Sequence, residues 1–168
     1  MHTKLKLSEN NKIVSLMRDE HPYPDHPERF DHWLQVMCTD ALSTADRCYW
    51  EVEWKQAVYI AVTYKGIGRK GHFDDSCLGK NDQSWSLTST DHSWSFRHDN
   101  NKTSLYVPTS SRVGVYLDWP ASTLSFYSVS SEKPIHLHTI HTKFTEPLYP
   151  AFRLKPRAVE PSVSLCQM

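Results

Sequence analysis

Alternation with a period of two runs through most of this chain and restricts its fold more than any other feature. From Arg47 to Trp54, Cys48, Trp50, Val52 and Trp54 fall on one face of an extended segment, and Glu51 and Glu53 fall on the other. That is the pattern of a half-buried strand. Val58, Ile60, Val62 and Tyr64 repeat it, and so do Val113, Val115, Leu117 and Trp119, which run into the turn signal Asp118, Trp119, Pro120, Ala121, Ser122. Leu124 and Phe126 open the next strand, which predicts a hairpin. Shorter runs predict strands at 13–17, 35–38, 84–87, 94–97, 105–107, 135–140, 148–154 and 162–166. Roughly a dozen strands with turn signals about every 8–12 residues define an all-β, antiparallel β-sandwich. Only the segment 27–33 has the character of one or two short N-terminal helical turns; the ten prolines are spread through the chain.

At 168 residues the chain is one domain, long enough to bury roughly 70% of the surface its unfolded form exposes, so its stability requires neither a disulfide framework nor a metal. Nineteen basic and nineteen acidic side chains cancel, which argues against a broad electrostatic footprint for nucleic acid or anionic lipid and leaves room only for a local basic patch. Residues 1–7 lack a signal-type apolar core, and no apolar run reaches the roughly 18 residues of a membrane span. The expected location is the cytoplasm. Cysteines 38, 48, 77 and 166 include no Cys-x-x-Cys pair; reduced thiols are expected, with one or two disulfides if the protein is exported. Cys48 and Cys166 sit in alternating apolar runs and are expected to be buried and inert.

Catalysis and metal binding find little support. Glu51 and Glu53, two apart on a strand, approach the separation of about 5–5.5 Å used by retaining glycosidases, but Lys55 stands where a third carboxylate of such a strand would be. Residues 65–71 are glycine-rich without the Lys-Ser/Thr ending of a phosphate loop, and predict a mobile basic loop. His136 and His138 are expected on one strand face with His141 nearby. No third ligand is placed with them, so no metal, no cofactor and no catalytic residue is assigned.

Several ordered motifs carry a family resemblance. Leu7, Ser8, Glu9, Asn10 and Asn11 with Lys12, Ile13 and Val14 are similar to the opening strand of a PRY segment, and Arg29, Phe30, Asp31 followed by Gln35, Val36, Met37, Cys38 to its end. Tyr49, Trp50, Glu51, Val52 matches a Tyr-Trp-Glu-Val motif. Leu117, Asp118, Trp119 with Ser125, Phe126, Tyr127 and then Pro147, Leu148, Tyr149, Pro150, Ala151, Phe152 follow in order. The chain thus resembles a PRY-SPRY domain, the C-terminal recognition module of many tripartite-motif (TRIM) E3 ubiquitin ligases, butyrophilins and fish NOD-like receptors. Trp119 in place of the usual Tyr, and Pro120, Ala121, Ser122 in the turn, are a fish-type variant also carried by fish-venom toxins.

The resemblance implies a bent sandwich of the concanavalin-like jelly-roll type spanning 1–168, with a PRY segment over about 1–45 and a SPRY segment over about 46–168. It implies a non-catalytic module that selects the protein partner or substrate of a RING-type ligase in innate immune or antiviral signalling. The isolated domain is then expected to be monomeric, and the parent dimeric through a coiled coil. The family's binding loops correspond to 23–29, 64–73, 94–100 and 138–144, which nominate Tyr23, Arg29, Tyr64, Arg69, Lys70, Trp94, Arg97, His98, His141 and Phe144 as partner-binding residues. Trp85 is nominated as the pocket anchor. Trp50, Trp54, Phe126 and Phe152 are expected to be core. The alternative within the family is a direct sensor of RNA or of a small phosphorylated ligand, held by Arg69, Lys70, Arg97 and His98. Recognition by a NOD-like receptor, butyrophilin or fish toxin is the other.

Overall fold

The computed structural model describes residues 1–89, 92–130 and 133–167, without the side chain of Gln167. Strands are β1 (Leu5–Ser8), β2 (Ile13–Leu16), β3 (Gln35–Met37), β4 (Arg47–Lys55), β5 (Val58–Tyr64), β6 (Ser84–Ser89) and β7 (Trp94–His98). They continue as β8 (Asn101–Leu105), β9 (Arg112–Asp118), β10 (Thr123–Ser128), β11 (Ile135–His141), β12 (Leu148–Leu154) and β13 (Ser162–Gln167). A seven-stranded antiparallel sheet has the order β1-β2-β13-β4-β9-β10-β11, and a six-stranded one the order β3-β12-β5-β6-β7-β8. The two face each other across a core that includes Trp50, Val52, Ile60, Leu87, Val115, Leu117, Phe126 and Phe152. The all-β sandwich expected from the alternation is therefore what forms.

The strands are positioned by the physics that predicted them. In β4 the inward Trp50 and Val52 are buried while Glu53 is exposed. Arg47 of β4 bonds Asp118 of β9 at 2.7 Å, closing the register between the two. Beyond Tyr59 both faces of β5 are covered, because residues 65–83 fold back over that part of the outer face of the six-stranded sheet. There Phe30, Ile67 and Leu78 pack on Ala61 and Ala151 as a second small core. Gln35 fastens this layer: its amide donates to the Ser76 carbonyl at 2.8 Å and accepts from the Leu78 amide at 2.9 Å. Residues 65–71 are accordingly pinned, not the mobile loop expected, with Gly68 N–H on the Asp75 carbonyl and Gly71 N–H on Asp31.

Five other expectations are corrected. Residues 27–33 form turns and bends in place of helical turns, since Asp31 donates its amide across to Arg69 and so leaves the helical bonding pattern. The only helical element among the described residues is the 3-10 turn Asp74–Ser76. The strand expected at 105–107 lies earlier, because Asp99 and Asn100 adopt φ of 46° and 59° and make a two-residue hairpin joining β7 to β8. The PRY opening is likewise a hairpin, β1 to β2, turning on the left-handed residues Glu9, Asn10 and Asn11. His136 and His138 do not share a face: an irregularity in the β10–β11 register turns His136 toward Tyr127 and His138 toward Phe96. Cys166 is exposed because the β13–β4 register shifts beside it. All four cysteines are free thiols, and burial pushes Cys38 up to about 11.

Candidate recognition surface

Three of the nominated aromatics, Tyr64, Trp85 and Phe144, meet at one end of the sandwich, but inside it. Trp85 lies flat on His98 with ring centroids 4.6 Å apart and touches Tyr64 and Phe144 edge-on, each at 5.3 Å. Phe144 in turn stacks on Trp119 at 5.7 Å, and the Tyr64 hydroxyl accepts from the Thr145 amide. Trp85 is only 3% exposed, so it offers no face for a partner to cover. It supports this end of the molecule from below. His98 is half-buried on the Ser84 carbonyl, Arg97 is bonded to Asn100, and His141 is exposed on the rim. Trp94 is 1% exposed at the opposite end, where it packs edge-on against Trp54; the alternation that carries Trp94 into β7 also turns it inward.

The basic residues nominated on the loops are already bonded within the chain. Arg29 donates to the Pro24 and Met1 carbonyls and lies over Tyr23. Arg69 donates to the carbonyls of Ile67, Glu28 and Lys65 and lies over Phe30; burial lowers its pKa. Lys70 holds Asp25 and the His26 carbonyl. Arg69 and Lys70 thereby staple segment 65–71 to segment 21–31. Glu51 and Glu53 are equally committed, joined by Arg112 of β9, with Tyr49 donating to Glu51.

An open aromatic and cationic surface lies elsewhere, on the outer face of the six-stranded sheet. Arg153 of β12 stands opposite Tyr59 of β5, and its guanidinium sits over two rings, 4.3 Å from the centroid of Trp33 and 4.6 Å from that of Tyr59. Lys155 lies over Tyr59 at 5.6 Å and Lys80 over Trp33 at 5.8 Å. Beside Trp33, His32, His72 and Phe73 continue the row of rings, and the Trp33 indole donates to the Phe73 carbonyl. Phe73 is 64% exposed. Trp33 and Arg153 also form one wall of a cleft of about 650 Å³ that continues past Leu16, Leu34, Leu154 and Val159 to Pro161. Trp, Tyr and Arg on rigid elements beside an apolar cleft are the ingredients of an energetic centre in a protein interface.

The sequence pattern of β12 pointed to Phe152 as core and left the opposite side of the strand unassigned. The signal was present: Tyr149, Ala151, Arg153 and Lys155 alternate opposite to the core residues Leu148, Phe152 and Leu154.

The inner face carries one pH-sensitive contact. Burial, reinforced by nearby His136, lowers the pKa of His138, which packs on Phe96 at 4.3 Å. A histidine whose folded pKa lies below its unfolded value favours the folded state less as pH falls through about 6.5. The thermal midpoint is therefore expected to fall between pH 7.5 and pH 5, and part of that fall should vanish in His138→Gln, as read by thermal melts at the two pH values.

Comparison with known proteins places this geometry. The SPRY domain family matches residues 47–166, and the SPRY-associated domain, PRY, matches residues 1–42. Stonustoxin subunit beta of Synanceia horrida is 50% identical over 90% of this chain and 22% of its own length. Tripartite motif-containing protein 16 of Mus musculus is 39% identical over 93% of this chain and 28% of its own. The chain thus spans about a quarter of the length of these relatives. Among solved structures, the TRIM65 PSpry domain superposes with a TM-score of 0.87 at 26% identity, covering 99% of this chain and 86% of that one. Stonustoxin superposes with 0.85 at 46% identity over 98% of this chain and 25% of that one.

Proposed function

The chain belongs to the SPRY family and carries a PRY segment ahead of it, and from that membership we propose that it selects a protein partner through the outer face built by Trp33, Tyr59, Phe73 and Arg153. SPRY domains are non-catalytic modules that bind proteins. The observation that carries the choice of face is the contrast in exposure: the rings at the sandwich end are packed shut, whereas Phe73 stands open beside a clamped Trp33.

The parent we propose is a cytoplasmic tripartite-motif ubiquitin ligase of innate immune or antiviral signalling. Its coiled coil dimerises the whole, and this domain, monomeric alone, chooses what is modified. The resemblance to tripartite motif-containing proteins 16 and 14, at 39% and 38% identity, supports that reading. A second parent, a fish-toxin-like subunit, is favoured by the 50% identity to stonustoxin subunit beta. Recognition of RNA or phosphate by the 65–71 loop is less favoured, since Arg69 and Lys70 are already bonded.

Capture from cell extract on the immobilised domain tests the face. Phe73→Ala and Trp33→Ala are each expected to weaken retention of the captured protein by about 2 kcal/mol, roughly 30-fold, with Phe73→Ala leaving the thermal midpoint unchanged. Unchanged retention in both, with loss on His141→Ala at the sandwich end, overturns it.

A further inference from the structure

Five arginines are half-buried: 29, 69, 97, 112 and 153. Arg29 and Arg69 donate to carbonyls, Arg97 to the Asn100 side chain, and Arg112 to Glu51 and Glu53. Arg153 differs. Its guanidinium's one hydrogen bond among the described residues goes to the Cys77 sulfur at 3.0 Å, a weak acceptor, and it forms no ion pair there. A guanidinium has five N–H donors in a fixed plane, and a partly desolvated one without an oxygen acceptor is costly to keep. The rings of Trp33 and Tyr59 hold this one in place without using its in-plane donors. Nearby Lys80 is paired with Asp74, and the cleft acids Glu20 and Glu160 form no ion pair with Arg153.

A held guanidinium whose donor edge has no oxygen partner among the described residues is complementary to a carboxylate, which takes two parallel N–H bonds in that plane. We propose that Arg153 anchors a carboxylate of the protein partner, so that this face takes up an acidic segment whose adjoining apolar side chain enters the cleft beside Leu34, Leu154 and Val159. The cleft wall also carries Lys4 and Arg18, which form no ion pair among the described residues and add to its preference for acidic chains. This rests on the reading that the outer face binds protein, and it supplies the chemistry of what is bound.

The test is an array of immobilised synthetic peptides, randomised around a fixed central Leu-Glu, Leu-Gln or Leu-Lys, probed with the purified domain. The Leu-Glu set is expected to bind about tenfold more strongly than the Leu-Gln set. Arg153→Lys, which keeps the charge but loses the planar fork, should remove most of that preference while Phe73→Ala retains it. Equal binding of the Glu and Gln sets, or a Glu preference that persists in both Arg153→Lys and Arg153→Gln, overturns the proposal. So does displacement of bound peptide by a single-stranded oligoribonucleotide with steep salt dependence, which would assign the fork to a polyanion. If extract capture still depends on Trp33 while the array shows no acidic preference, the recognition face stands and only its assigned chemistry fails.

Discussion

Replacing Trp85 with alanine is expected to lower stability by about 3–5 kcal/mol, the range for removing a large aromatic from a packed core. For a domain of this size each kcal/mol is worth roughly 2–4 °C of midpoint, so the fall should be about 6–20 °C. The cause is the loss of three ring contacts at once, to Tyr64, His98 and Phe144, beneath the end of the sandwich. The Trp85 indole N–H is buried without an acceptor among the described residues. Trp85→Phe removes that orphan donor while keeping a ring, and should therefore cost far less than Trp85→Ala. Chemical denaturation of the three proteins separates the cases. An unchanged midpoint in Trp85→Ala, together with lost partner retention, would restore Trp85 to the surface role that its sequence context suggests.

The second large effect is expected at Gln35, which is 0% exposed on β3. Gln35→Ala leaves the Leu78 amide and the Ser76 carbonyl without their partner and opens a small void, a combined cost of about 3 kcal/mol. Because Gln35 ties β3 to the layer that ends in Phe73 and Trp33, the damage should extend to recognition. Hydrogen exchange at the Leu78 amide reads the local effect: protection should drop in Gln35→Ala well below that of neighbouring β5 amides. Retained protection at Leu78 would show that the layer is held by its apolar contacts alone.

Most of the sandwich was legible because strand alternation reports burial directly. The predicted bounds of β5 and β12 match those observed, and Trp50, Phe126 and Phe152 lie in the core as expected. What the sequence concealed depends on register or on long-range partners. The β10–β11 irregularity that separates His136 from His138 leaves no local signature, and neither does the shift that exposes Cys166. Polar context misled at Trp85, whose flanking serines 84 and 86 are themselves buried. It misled at Arg69 too, whose acceptors come from Glu28 and Lys65 as well as its neighbour Ile67. The face around Arg153 is assembled from β3's approach, β5, β12 and the returning layer, four segments that no linear window holds together.

Hydroxyl-radical footprinting of the domain, free and bound to the protein it retains from extract, tests most directly where recognition occurs. The expected result is protection at Trp33, Tyr59 and Phe73, with Trp119 and His141 labelled equally in both states. Protection at Trp119 and His141 with Phe73 still fully labelled would contradict the account and return recognition to the loops at the sandwich end.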